Sequence, residues 1–163
     1  MHTSSGPEQV VELDLGIVRE AAISGALVLQ SELSTFLTFN AMRADGQGRR
    51  VDAGSAVVEF RRCLRTKFGL PNDEALAGHP LAQLGLDAYG VFEVLNSRWR
   101  TEAEAENRVC FPATDYSEFW HFIFTFHDSS FECLALDLDL RLIEPPGSFR
   151  GEFDALVDRV VRE

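Results

Sequence analysis

The chain has 163 residues, with 15 Lys and Arg against 26 Asp and Glu and a formal net charge of −11. A domain of this size buries about 70% of the surface that its unfolded chain exposes, so it needs no disulfide or metal for stability. The negative charge argues against nucleic acid and against a membrane surface as partners, because both reward Lys and Arg.

Residues 1–9 contain no apolar stretch and no basic start, so they are predicted to be a disordered N-terminus and not a secretory signal. The remainder, residues 10–163, is predicted to be a single domain. No segment approaches the ~18 apolar residues that a membrane-spanning helix needs. The three cysteines, Cys63, Cys110 and Cys133, are widely spaced and form no CxxC pair, which favours a reducing, cytoplasmic location.

The first half of the chain is rich in strand signals. Residues 26–43 predict two strands or one bent strand around the polar break SELS, and the Gly-containing segment 44–55 predicts the loop of a long hairpin. Residues 56–68 are interpreted as a strand, although their apolar spacing also fits one face of a helix. The Pro- and Gly-containing segment 70–87 predicts an irregular connection with at most one helical turn.

Strands and helices alternate in the second half. Residues 88–97 predict a central strand, and Ser97 is placed to cap a helix over about 97–109. Segments 118–127 and 131–142 predict an antiparallel hairpin. A final amphipathic helix over about 149–162 follows, with Ser148 as its expected cap.

These elements together predict an α+β domain. Its centre is a curved antiparallel sheet of about five to seven strands, packed by the mid-chain helix and the C-terminal helix. A doubly wound α/β fold is disfavoured, because no helix between Ala26 and Leu64 could serve as a crossover between parallel strands.

The hairpin turn is placed at Ser129–Ser130, which pairs His127 with Glu132 across the two strands. A carboxylate beside an imidazole orients the ring and raises its proton affinity, as for a supported general base. A surface ion pair near the hairpin tip explains the same pattern, and this alternative stays open. Cys133 falls on the opposite face and is predicted to be a core residue.

Four polar side chains, His79, Glu93, His127 and Glu132, are candidates for one polar centre inside the curved sheet. No metal site is predicted, because His121 and His127 lie about 20 Å apart on one strand. No cofactor is predicted, since the chain lacks GxGxxG, GxxxxGK[ST], HExxH and GxSxG.

The segment from Arg43 to Lys67 carries seven of the 15 basic residues and only three acidic ones. Arg61 and Arg65 would point the same way from one strand, which makes them candidates for binding a small anion. The alternative is that these arginines are solvated and discourage pairing between sheet edges.

The chain has 13 Phe, six of them between Phe111 and Phe131, and both faces of the predicted hairpin are largely apolar. Something must cover each face: helices on one, and a ligand cavity, a loop or a second subunit on the other. The sequence therefore favours a non-enzymatic binding or interaction protein, with a second copy or a small molecule as its partner. The alternative is a small enzyme or small-molecule binder that uses the four-residue polar centre.

Overall fold

The computed structural model describes residues 6–18, 25–144 and 149–162. These residues form nine antiparallel strands and two α-helices, which confirms the predicted α+β class. The helices are α1 (Arg98–Arg108) and α2 (Phe149–Val161). The strands are β1 (Gln9–Glu12), β2 (Leu27–Gln30), β3 (Thr35–Ala44), β4 (Arg50–Arg61), β5 (Arg65–Gly69), β6 (Val91–Leu95), β7 (Trp120–Thr125), β8 (Ser130–Ala135) and β9 (Asp137–Ile143).

The strands divide into a five-stranded sheet, in the order β1-β6-β7-β8-β5, and a four-stranded sheet, in the order β2-β3-β4-β9. The strand interpretation of residues 56–68 is confirmed, but this segment is broken at Arg62, whose φ of 49° turns the chain from one sheet to the other. A second crossing follows β8, where the Leu136 amide donates to the carbonyl of Arg61 at 2.9 Å. Two short bends thus convert the predicted single sheet into two.

The core lies between the two sheets and is built largely from phenylalanine. The Phe60 ring contacts those of Phe124 and Phe131, with centroids 5.7 and 5.2 Å away, and Phe39 contacts Phe126 at 5.2 Å. Each fully buried side chain of this size contributes roughly 1.5–3 kcal/mol. Cys133 is fully buried here, as predicted.

The outer faces of both sheets are covered by the same chain. Residues 70–90, here called the covering segment, contain two 3₁₀ turns, Leu76–Gly78 and Ala82–Leu84. Three leucines of this segment pack over Phe92 and Ile123, namely Leu76, Leu81 and Leu86. The other half of this face is covered by α1. On the four-stranded sheet, Leu156 of α2 packs on Phe36 and Val57. The covering segment and α1 thus share one face of the hairpin, and the other face packs on the four-stranded sheet, a cover that was not among those predicted.

The predicted hairpin register is wrong by four residues, because the turn centre lies two residues earlier than predicted. Phe126 donates its amide to the carbonyl of Ser129 at 2.8 Å, so the turn is centred on His127 and Asp128 instead of on Ser129 and Ser130. Glu132 consequently lies opposite Ile123 and not opposite His127. Residues keep their predicted faces, because the error is an even number of residues.

Strand β1 has no counterpart in the predicted elements and begins inside the segment predicted to be disordered. It pairs with β6, and the preceding residues also have partners: Asn96 donates to the carbonyl of Pro7 at 2.9 Å, and the Arg98 amide donates to Glu8 at 2.8 Å. Four residues are too few to carry a periodic signal.

Both helices lie close to their predicted bounds. Ser97 caps α1, since its Oγ accepts from the Arg100 amide at 3.2 Å; the expected cap of α2, Ser148, lies outside the described residues. In the part of the chain that is described, neither helix has the length and apolar character required to cross a bilayer.

Candidate functional site

A buried glutamate connects the covering segment, α1 and the five-stranded sheet. Glu132 on β8 has a side chain only 7% exposed, and each carboxylate oxygen contacts one histidine. Oε1 lies 3.1 Å from Nε2 of His79 in the covering segment, and Oε2 lies 2.9 Å from Nε2 of His121 on β7. These three residues are called the Glu132 centre.

The hydrogen-bond partners define the proton positions in the Glu132 centre. Nδ1 of His79 accepts from the Leu81 amide at 3.1 Å, so its proton is on Nε2 and is donated to Glu132. Nδ1 of His121 lies 2.8 Å from Oγ of Ser97; because the ring donates through Nε2 to Glu132, Nδ1 of the neutral ring accepts the Ser97 hydroxyl proton. Two neutral imidazoles thus donate to one ionised carboxylate.

The environment favours these charge states. Burial raises the pKa of Glu132, but the hydrogen bonds from His121 and His79 and the ammonium of Lys67, 3.5 Å away, outweigh it and hold the pKa well below its usual range. Burial lowers the pKa of His121 despite its bond to Glu132. The ammonium of Lys67 compensates the negative charge of Glu132, and its Nζ also lies 3.9 Å from the centre of the Trp99 ring.

Histidines and a carboxylate at these distances invite comparison with a metal site. A ligating histidine needs a free lone pair on the nitrogen that faces the metal. Here the lone pair of His79 is on Nδ1, where the Leu81 amide occupies it, and Nε2 carries a proton. Among the described residues, no group of three or more His, Cys, Asp or Glu side chains could hold a metal ion. The three side chains of the Glu132 centre are joined to one another by hydrogen bonds.

A second polar group lies at the hairpin turn and is open to solvent. Nδ1 of His127 lies 2.8 Å from Oδ2 of Asp73, which also accepts from the hydroxyl of Tyr89. The His127 side chain is 52% exposed, while that of Asp73 is only 12% exposed. Tyr89 has a φ of 60°, a costly conformation for a residue with a side chain. His127 and Asp73 are called the His127 dyad.

The hydrogen bond and charge of Asp73 raise the pKa of His127, and the hydrogen bonds from Tyr89 and His127 lower the pKa of Asp73. Because folding raises the pKa of His127, this group stabilises the fold at pH values below its unfolded-state pKa, and the stabilisation is lost as the pH rises through its folded-state pKa. Because folding lowers the pKa of Asp73, this group stabilises the fold at pH values above its unfolded-state pKa, and the stabilisation is lost as the pH falls through its folded-state pKa. The dyad therefore contributes most between about pH 4 and about pH 6.5.

We expect the substitution Asp73→Asn to lower the NMR titration midpoint of His127, because the protonated ring loses its carboxylate partner. The matched control is Glu106→Gln, which removes a carboxylate bound to Arg65 and leaves the dyad intact. An unmoved His127 midpoint in Asp73→Asn would show that the two side chains are not coupled.

The four predicted polar residues do not form one centre. His79 and Glu132 meet, but His127 lies in the turn with Asp73. Glu93 pairs in register with Phe122, on the sheet face opposite Glu132. Open cavities of about 590 and 480 Å³ lie beside Asp158 of α2 and beside the β3–β4 hairpin.

The predicted anion site at Arg61 and Arg65 does not form. The two arginines belong to β4 and β5, in different sheets, because the chain bends between them. Each is paired with a carboxylate, Arg61 with Asp137 and Arg65 with Glu106. Both arginines of the predicted anion site are therefore neutralised by acidic residues from other segments.

The site also contains partners that sequence reasoning missed, namely Lys67, Asp73, Tyr89, Ser97, Trp99 and His121. The predicted register already placed His121 on the same face as Glu132, and the true register, with Ile123 opposite Glu132, makes the two a diagonal pair. The remaining partners lie far from Glu132 and His127 in the sequence, and local sequence patterns do not indicate such long-range contacts.

Both polar groups flank β5, the last strand of the five-stranded sheet. Lys67 of β5 reaches the Glu132 centre, and Gly69 pairs with Ser130 beside the dyad. Within the described residues, β5 makes ladder hydrogen bonds on the β8 side only. Two apolar side chains are exposed here, Phe68 at 49% and Leu70 at 84%.

Comparison with known proteins gives no match: no family model fits the chain, and neither a curated protein nor a solved structure shows significant similarity to it.

Proposed function

We propose that this chain is a binding protein that accepts an extended segment of a basic partner protein along the outer edge of β5. The observation that carries the proposal is a strand edge with which no other described strand pairs, with exposed apolar side chains, Phe68 and Leu70, next to an acidic turn. An unpaired edge offers backbone donors and acceptors to an added strand, and neighbouring side chains give specificity.

The charged residues of β5 do not protect this edge. Charged side chains on an edge strand normally discourage pairing with another strand. Here Arg65 is bound to Glu106 of α1, and Lys67 is held between Glu132 and the Trp99 ring. Both point across the covered sheet face towards α1. Thr66 of β5 contacts Gln30 of β2 through its side chain at 2.8 Å, and no other described strand bonds to the backbone on the outer side of β5.

The other described sheet edges are less suited to strand addition. Strand β9 alternates the charged residues Asp137, Asp139 and Arg141 along its length. Strands β1 and β2 have only four residues each. Strand β5 is one residue longer than β1 and β2, and the exposed apolar residue Leu70 follows it directly.

Charge favours a basic partner over a second copy of the chain. The net charge is −11, so two copies repel each other at long range. Asp73, Glu74 and Asp128 all act on His127 at the end of β5, which places an acidic corner beside the edge. A partner segment that alternates apolar and basic residues would match both features.

A short synthetic peptide that alternates Val and Arg is the probe, and fluorescence anisotropy is the measurement. We expect it to bind, and we expect Leu70→Ser to weaken binding by about tenfold through loss of an apolar contact. The matched control Val161→Ser removes an exposed apolar side chain from α2 and should bind as the native protein does.

Two control peptides separate strand addition from simple charge attraction. A Val–Glu peptide should not bind, and a Val–Arg peptide interrupted by proline should bind weakly because it lacks backbone donors. Equal binding by the proline peptide, or unchanged binding in Leu70→Ser, would contradict the proposal.

Light scattering should report the mass of one chain, 18.2 kDa; twice that mass would identify a second copy as the occupant of the edge.

Proton transfer at the His127 dyad is the second candidate function. Its support is the pairing of Nδ1 with Asp73, which leaves the rest of an exposed imidazole facing solvent, as in a general base. If this candidate is right, the protein turns over a substrate, and the turnover rate falls when His127 is replaced by Gln. The binding function requires no turnover.

A further inference from the structure

The middle of the covering segment lies between two glycines. Gly78 precedes it and Gly85 follows it, the latter with a φ of 110°, a conformation that residues with a side chain rarely adopt. Residues 79–84 between them, here called the flap, contain the second 3₁₀ turn and place the buried side chain of Leu81 on the five-stranded sheet. Because glycine absorbs the dihedral changes of a hinge at low cost, the flap can move as a unit.

The two ends of the covering segment are held independently of the flap. At its start, the Asp73 amide donates to the carbonyl of His127 at 3.2 Å, beside the ion pair of the His127 dyad. At its end, the Thr125 hydroxyl donates to the carbonyl of Asp87 at 2.8 Å, and the Gly90 amide donates to Oγ1 of Thr125 at 2.9 Å. Both ends are thus fixed near the end of β7, and these bonds do not involve the flap.

His79 binds the flap to the sheet in its neutral form. Its Nε2 donates to Glu132 at 3.1 Å, and its Nδ1 accepts from the Leu81 amide at 3.1 Å. A second ring proton would have to occupy Nδ1, where it would face the Leu81 N–H, so that two donors would meet without an acceptor. The same proton would add a positive charge to a group in which Lys67 already compensates Glu132, at a ring only 6% exposed. The closed flap therefore excludes the second proton.

The charged groups around His79 come from three strands and from the chain before β1. Glu132 of β8 contacts the ring directly, and Lys67 of β5 and His121 of β7 contact the Glu132 carboxylate. Glu8 adds a negative charge that acts on His121. Helix α1 and β6 contribute uncharged side chains, namely Trp99 and Phe92. The ring thus lies between a compensated carboxylate and apolar side chains, where an added charge is disfavoured.

We propose that the flap is a pH-sensitive lid, closed while His79 is neutral and open when its ring takes up a second proton. Because the open form binds a proton that the closed form excludes, acid shifts the equilibrium towards opening. Opening exposes Leu81 and one side of the Glu132 centre to solvent, while the two ends of the covering segment stay in place. The lid does not depend on the proposed binding function of β5.

The His127 dyad responds to acid in the opposite sense. The hydrogen bond and charge of Asp73, with the charges of Asp128 and Glu74, raise the pKa of His127, so protonation of this ring strengthens its pairing with Asp73. The pKa of Asp73 is lowered, which keeps its carboxylate ionised in mild acid. Mild acid is therefore expected to release the flap and to keep the start of the covering segment bound.

Hydrogen exchange of the full chain at about pH 7.5 and about pH 5.5, corrected for the intrinsic rate of amide exchange, tests the proposal. A solvent-exposed imidazole titrates at about pH 6.5, so the open fraction should rise about tenfold between the two conditions. We expect the protection of the Leu81, Ala82 and Leu84 amides to fall by about this factor, because all three are bonded within the flap. The amides of β7 and β8 should keep their protection, which excludes global unfolding.

His79→Gln is the decisive variant, because glutamine can donate to Glu132 and takes up no proton in this pH range. We expect the protection of its flap to be the same at both pH values. The matched control His127→Gln keeps His79 and should keep the tenfold change.

NMR of the ring nitrogens in the native protein gives a second readout that needs no variant. At about pH 7.5 the proton of His79 should lie on Nε2, and the ring should gain its second proton over the pH range in which the flap opens. Three results would overturn the proposal: equal protection of the native flap at both pH values, a tenfold change that persists in His79→Gln, or a ring proton on Nδ1 of His79 at the higher pH.

Discussion

Replacing Glu132 by alanine is expected to lower the free energy of unfolding by about 3–5 kcal/mol, measured by urea denaturation. The carboxylate accepts from His79 and His121 and neutralises Lys67, so its removal leaves two buried donors and one cation without their acceptor. Because these partners come from the covering segment, β7 and β5, we expect all three elements to loosen together.

The matched control for Glu132 is Glu106→Ala. Glu106 also binds a basic side chain, Arg65, but its side chain is 64% exposed, and solvent-exposed ion pairs contribute little to stability. Glu132→Gln keeps the shape of the side chain and one acceptor oxygen, so its loss in free energy of unfolding should lie between those of the two alanine variants. If Glu132→Ala lowers the free energy of unfolding no more than Glu106→Ala does, the buried hydrogen bonds do not hold the covering segment.

Deleting residues 145–163, which include α2, is expected to abolish cooperative folding. The helix covers Phe36 and Val57, which are 1% and 2% exposed, and it contributes Leu156 to the same cluster. Exposing each of these side chains costs roughly 1.5–3 kcal/mol, so the sum approaches the whole stability of an ordinary domain. The truncated chain should aggregate or lose its near-UV circular dichroism.

Point variants separate the apolar contact from the helix as a whole. Leu156→Ala should cost about 2–5 kcal/mol, whereas Val161→Ala, at a position 79% exposed, should change stability by no more than about 0.5 kcal/mol. A truncated protein that keeps the native melting temperature would mean that α2 does not stabilise the four-stranded sheet.

The strands and helices were largely predictable because their signals are local. Runs of β-branched and aromatic residues indicated the strands around β3, β4 and β7, and Ser97 with the following Ala and Glu residues indicated α1. The bend at Arg62 was not predictable, because a single residue with positive φ leaves the strand pattern on both sides intact. For that reason one predicted sheet became two.

The candidate site was predictable only in part. His79 and Glu132 were both singled out from the sequence, and the structure brings them together at 3.1 Å. The assumed turn at Ser129–Ser130 gave Glu132 the wrong histidine, since the true turn holds His127 and leaves His121 facing the carboxylate. Moving the turn centre by two residues changes the cross-strand pairing by four residues, which keeps every side chain on its face and changes every cross-strand partner.

The free edge of β5 as a binding surface is the central claim, and hydrogen exchange of the β5 amides tests it most directly. We expect the amides that point away from β8 to exchange rapidly in the free protein and to slow by about tenfold or more when the Val–Arg peptide is bound. The amides of β9 should not change. Protection along β9 or α2, with β5 exchanging as in the free protein, would contradict the claim.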